Sequence, residues 1–170
     1  MIAAPVRSAR WYTQIAPAAT VIAAVLLDLL WIPVPGFNAV APAFAVMAVY
    51  CWAVWRPEYL PYTGVFAAGL LEDLIRGTPL GAGALALLAV QGFVWAQQRL
   101  LRSRSFDVMW LGFAMAALLA AGITWAAVAF SYRAVLSPWP GAMQYALTVA
   151  AFPALAFLLM RIERGMPRPA

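Results

Sequence analysis

The sequence predicts an all-α, polytopic membrane protein: six transmembrane helices, both termini cytoplasmic, no soluble domain. Three observations predict it. Hydrophobic residues make up 66% of the chain and charged residues 10%, with a mean hydropathy of +0.86, more apolar surface than one small core can hide. The apolar residues fall into six runs, each near the roughly 20 residues a helix needs to cross a bilayer. The basic residues, all arginine, lie mostly between those runs.

The runs place helices near 13–32, 39–55, 59–76, 79–98, 106–132 and 141–161 within a single membrane domain spanning 1–170. The first follows two arginines, as a secretory signal would, but it is longer than the roughly 7 to 15 apolar residues of a signal core and reads as an uncleaved helix. Pro33-Val-Pro-Gly36 is a turn ending it, and Arg56-Pro-Glu58 breaks the second run. Thr78-Pro79 has the form of an N-cap with proline at the first helical position, which starts the fourth helix there. Ser137-Pro-Trp-Pro-Gly141 separates the fifth from the sixth, and Pro153 bends the sixth.

Arginine placement sets the orientation. With the N-terminus inside, the cytoplasmic segments hold Arg7, Arg10, Arg56, Arg99, Arg102, Arg104, Arg161, Arg164 and Arg168, and the opposite side only Arg76 and Arg133. Aromatic residues follow the same division. Trp11, Tyr12, Trp52, Trp55, Tyr59, Tyr62, Trp95 and Trp110 fall near the inner interface, and Trp31, Tyr132 and Trp139 near the outer one.

Composition also excludes chemistries. Histidine is absent and Cys51 is the single cysteine, so disulfide frameworks and Cys/His metal sites are ruled out. No phosphate-cradling glycine loop and no Ser-His-Asp set occurs, so no enzyme, no catalytic residue and no cofactor is expected. The net charge of +5 would suggest nucleic acid in a soluble chain, whereas here the arginines are topology signals and no nucleic-acid partner is expected. Arg99-Leu-Leu-Arg-Ser-Arg104 can also touch anionic lipid headgroups.

Chemistry concentrates in Phe66-Ala-Ala-Gly-Leu-Leu-Glu-Asp-Leu-Ile-Arg-Gly-Thr-Pro-Leu-Gly81, where Glu72, Asp73 and Arg76 end an apolar run. An Asp or Arg near a membrane helix centre costs roughly 2.5 to 3.5 kcal/mol, so such residues face protein rather than lipid. Gly69, Asp73 and Gly77 are spaced by four and form one stripe, which Gly81 continues across the turn. Glycines beside Asp73 let a neighbouring backbone approach. Glu72 precedes Arg76 by four, the favourable order for an intrahelical pair, so Arg76 neutralises one carboxylate while the other finds a second partner. The start of the fourth helix, with its free N–H groups, suits Asp73. Two readings stay open: Asp73 holds a helical hairpin together, or the hairpin also forms a docking surface. Asp28, about a turn from the outer end of the first helix, either pairs with Arg76 or reaches the interface. The three carboxylates could also approach one another around a cation or proton, although Arg76 offers a cheaper neutralisation. Gln91, Thr124, Gln144 and Thr148 are isolated polar residues without an evident constellation.

The pattern Phe66-x-x-Gly69-Leu-Leu-x-Asp73-Leu-Ile-x-Gly77-x-Pro79-Leu-Gly81 closely resembles the signature of the rod shape-determining protein MreD family. Gly69, Asp73, Gly77, Leu80 and Gly81 carry the resemblance; Glu72 and Arg76 fall outside it, and their pairing rests on spacing. The resemblance implies a non-enzymatic inner-membrane component of the bacterial elongation machinery, supporting cell shape and lateral peptidoglycan synthesis. It also implies a partner, an MreC-like single-span protein, and indirect links to MreB filaments, the polymerase RodA and a class B penicillin-binding protein, with room for a homodimer within the complex. A competing expectation is a substrate-binding subunit of an energy-coupling-factor-type transporter, which six compact spans loosely resemble.

Overall fold

A computed structural model describes residues 8–28, 41–99, 105–133 and 137–164. Among them are six α-helices and a short 3₁₀ turn: α1 (Ser8–Leu27), α2 (Phe44–Trp55), the turn Pro57–Tyr59, α3 (Tyr62–Arg76), α4 (Ala82–Ala96), α5 (Phe106–Tyr132) and α6 (Trp139–Arg164). The Pro33–Gly36 turn, Trp31 and Arg7, Arg102, Arg104 and Arg168 lie outside the described residues, as do the side chains of Arg10, Trp11, Tyr12 and Arg164.

The centre of the fold is α2, apolar all round, with every residue from Ala45 to Val54 buried. A helix of that kind belongs inside a bundle. Around it stand α1, α4, α5 and α6, while α3 lies further out, packed on α4 and α1. Tyr50 is the core's pivot: its ring meets Phe113 and Phe152 edge-on, those two stack with centroids 4.0 Å apart, and its hydroxyl donates to the Met109 carbonyl at 2.9 Å. A phenol buried this deeply needs such an acceptor.

Lengths depart from expectation in the middle of the chain. Only Phe106–Tyr132 and Trp139–Glu163 are long and apolar enough to cross a membrane among the described residues. The second, third and fourth helices, expected at 39–55, 59–76 and 79–98, are shorter, at 12, 15 and 15 residues. At 1.5 Å per residue α2 is about 18 Å long, well under the roughly 30 Å hydrocarbon thickness. Burial is the reason: α2 contacts protein on all sides, and its first N–H groups are met by side chains from elsewhere in the fold.

Trp52 also corrects an expectation. It is fully buried, with its indole N–H donating to Thr20 Oγ1 at 2.7 Å, so it ties α2 to α1 instead of joining an interfacial belt. Tyr62, Trp95, Trp110, Tyr132 and Trp139 are exposed. Gln91 is buried and donates to the Leu60 carbonyl at 2.7 Å, fastening α4 to the connection before α3; its Oε1 meets no donor among the described residues.

Helix directions alternate. Asp28, at the end of α1, bonds the start of α2; Asp73, in the last turn of α3, bonds the start of α4; and residues from late α5 and early α6 line the same cavity. One end of the bundle therefore collects the polar groups. At the other end buried Arg56 and half-buried Glu163 form an ion pair, 3.1 Å, between the end of α2 and the end of α6. Arginine counting treats Arg56 as a topology signal only, because its partner is more than 100 residues away along the chain.

Candidate functional site

The polar end is built on α3. Val65, Ala68, Gly69, Glu72 and Asp73 are its buried residues, spaced i, i+3, i+4, i+7 and i+8, the spacing of a single helix face. Gly69 lies where α4 comes closest. A Cβ there would sit 2.7 Å from the Ala84 nitrogen and 3.0 Å from the Gly83 carbonyl carbon, both backbone atoms that cannot move aside. Helix α3 then ends on Gly77, whose φ of 67° is left-handed and cheap only for glycine. The chain turns through Thr78, Pro79 and Leu80 to Gly81, at φ 100°, and α4 begins at Ala82.

This start corrects the expectation that Thr78-Pro79 caps the fourth helix. Gly81 holds the N-cap position and has no side chain to cap with. The cap comes from Asp73 instead. Its Oδ2 accepts from the N–H of Gly81 at 2.9 Å and of Ala84 at 3.4 Å, and its Oδ1 from the N–H of Gly83 at 2.8 Å and the Thr78 hydroxyl at 2.7 Å. Gly83 and Ala84 are the second and third residues of α4, where an N-cap oxygen normally acts. Thr78 is thus a ligand of the carboxylate. Asp73 is 1% exposed, a buried anion satisfied by four donors and a helix N-terminus.

Gly83 is the residue that the sequence reading misses. A Cβ on it would meet Asp73 Oδ1 at 2.7 Å and the Gly69 carbonyl oxygen at 3.3 Å, so the carboxylate occupies the space above it. Its requirement for glycine is created by a side chain ten residues earlier. Spacing within one helix carries no trace of that contact.

Asp28 repeats the device on α2. Its Oδ1 accepts from the Phe44 N–H at 2.7 Å and its Oδ2 from the Ala45 N–H at 3.1 Å, while Thr148 Oγ1 of α6 accepts from the Ala43 N–H at 3.0 Å. Ala43, at the N-cap position, has no side-chain oxygen to offer. Arg76 then joins the two halves, 2.9 Å from Glu72 and 3.3 Å from Asp28. The arrangement is a staple: two carboxylates cap two helices across space, and one guanidinium links α1 to α3. Phe66, Leu74 and Leu80 stand outside it, exposed, and Pro79 shapes the turn.

The Arg76 link has a measurable strength. Replacing Arg76 with Met leaves the buried Asp28 and Glu72 beside each other without a cation, a loss of about 2 kcal/mol after discounting for the partial exposure of Arg76. Denaturation of purified protein checks this. Adding Asp28→Asn in the Arg76→Met background is expected to recover part of the loss, and simple additivity would refute the coupling.

Among the described residues no group of three or more His, Cys, Asp or Glu side chains is arranged to hold a metal ion. The staple positions helices. Apolar helices clamped at one end by charge and backbone donors define the class: a helical protein of membrane type whose distinctive residues organise a hairpin. A family model described as rod shape-determining protein MreD matches residues 9–162, and the chain belongs to that family of membrane proteins. No curated protein and no solved structure gives a significant match.

Proposed function

We propose that this chain is a non-enzymatic scaffold of the rod complex, threaded six times through the cytoplasmic membrane with both termini inside and the staple toward the outer face. Family membership, the alternating helix directions and the uneven arginine distribution support this reading. The observation that carries it is the Asp73 clamp. By capping α4 from α3, Asp73 makes the hairpin rigid, and α3, packed on α4 and α1, leaves Tyr62, Phe66 and Leu74 exposed along one stripe. A single transmembrane helix of an MreC-like partner packs against that stripe. Association in lipid relies on close packing and interhelical hydrogen bonds, so a fixed surface lowers the ordering cost. Through that partner the protein connects with MreB, RodA and the class B penicillin-binding protein.

Two variants test the proposal. Phe66→Ala combined with Leu74→Ala is expected to keep the parental melting temperature, lose co-purification of the MreC-like partner, and round the cells. Asp73→Ala is expected to lose both partner and shape. If the surface pair retains the partner at the parental level in rod-shaped cells, the α3 stripe is not the docking face. If Asp73→Ala does so, the clamp has no role in the complex.

The transporter reading fares less well. A site that buries a vitamin-sized ligand needs roughly 300 to 1,000 Å³. The polar cavity beside Glu72 measures about 70 Å³, and two larger hollows, about 320 and 590 Å³, are lined almost wholly by apolar residues and lack the convergent polar groups such a ligand needs.

A further inference from the structure

That cavity lies between the staple and the facing walls of α5 and α6, and its size matters. At about 70 Å³ it is well above the roughly 10 to 15 Å³ that admits one water, and has room for a few waters or one small organic head. Its lining brings together residues that look isolated in sequence: Thr124, Gln144 and Thr148 face Glu72 and Arg76 across a floor that includes Ala86, Leu87 and Ala120.

Three acceptors on these walls are unspent. Glu72 is 7% exposed; its Oε1 holds Arg76, and its Oε2 has no hydrogen-bond partner among the described residues. The Gln144 side-chain amide likewise makes no hydrogen bond there, since Thr148 bonds the Gln144 backbone carbonyl. Thr124 Oγ1 donates to the Ala120 carbonyl at 3.0 Å and keeps its lone pairs. Asp73 is fully occupied by four donors, and Arg76 is divided between two carboxylates. The lining therefore presents two carboxylates, Glu72 and Asp73, against the one guanidinium of Arg76, and only the Glu72 carboxylate keeps acceptor capacity.

We propose that this cavity binds a small primary ammonium group, with Glu72 as its ion partner and Gln144 and Thr124 as its remaining acceptors. Three N–H donors meet three acceptors. The group is supplied either by a free small amine or by the amino head of an aminophospholipid. This inference stands apart from the docking stripe on α3, since Tyr62, Phe66 and Leu74 do not line the cavity.

The test uses the purified protein in nanodiscs of phosphatidylcholine, a lipid whose headgroup has no primary amine, with ethylammonium chloride as the probe. Millimolar ethylammonium is expected to raise the melting temperature by several degrees, as ligand linkage requires, and tetraethylammonium, too large and without N–H groups, is expected to leave it unchanged. Gln144→Leu removes a side chain that makes no hydrogen bond among the described residues. It is expected to melt like the parent without amine and to lose most of the shift. If the head belongs to lipid, phosphatidylethanolamine discs raise the melting temperature without added amine, and Gln144→Leu abolishes that difference. Equal melting temperatures in both lipids with no response to ethylammonium, or an undiminished response in Gln144→Leu, would overturn the assignment.

Discussion

Replacing Asp73 with alanine is expected to lower the unfolding free energy by about 4 kcal/mol, the largest loss for any polar residue of the staple. The carboxylate accepts from the N–H groups of Gly81, Gly83 and Ala84 and from the Thr78 hydroxyl. Losing a helix cap costs about 1 kcal/mol, and each buried donor left unsatisfied costs about 1 to 3 kcal/mol more. Thr78, half-buried, can turn its hydroxyl elsewhere, which keeps the total below the full sum. Asp73→Asn retains the shape and one acceptor oxygen but aims an amide N–H₂ at backbone donors, so about half the loss is expected. Thermal melting in detergent, with hydrogen exchange at the amides of residues 81–84, measures both effects. A parental melting temperature with those amides still protected would show that the carboxylate does not hold α4.

The second large effect is steric. Gly69→Ala is expected to cost about 2 to 3 kcal/mol, because the added methyl meets the backbone of Gly83 and Ala84 and α4 must shift as a unit. That shift also pulls the α4 N-terminus away from Asp73, so exchange at residues 81–84 should accelerate in this variant as well. Gly92 provides the contrast: a Cβ there meets nothing within 4 Å, and Gly92→Ala is expected to be neutral or stabilising by up to about 1 kcal/mol through helix propensity. The two substitutions are chemically identical and lie on packed helices. If they shift stability alike, close approach of α3 and α4 is not what Gly69 provides.

Legibility of this chain differed by region. The apolar run at 106–132 predicts α5 and the helix is Phe106–Tyr132, because a long segment with one face outward along its length must be uniformly apolar. The Glu72 to Arg76 pairing was readable too, since both residues sit on one helix four apart and their contact is local. Asp73 was readable as a residue in need of donors. The sequence places those donors only roughly, at the start of the fourth helix, and gives Thr78 a capping role that Asp73 fills in the structure.

What the sequence by itself determined is everything that depends on local spacing or summed hydropathy: the helical class, the apolar runs, the hairpin at Gly77 to Gly81 and the position of its ionisable residues. Only the tertiary structure decided which groups meet across large separations: Asp28 on the start of α2, Thr148 on Ala43, Gly83 under Asp73, Arg56 with Glu163, and Gln144 opposite Glu72. The physical reason is that a helix cap or an ion pair demands only an oxygen or a charge in the right place. Neighbours along the chain, such as Ala43 and Gly81, cannot supply it here, and so the partner is selected by packing and leaves no periodic mark in the sequence.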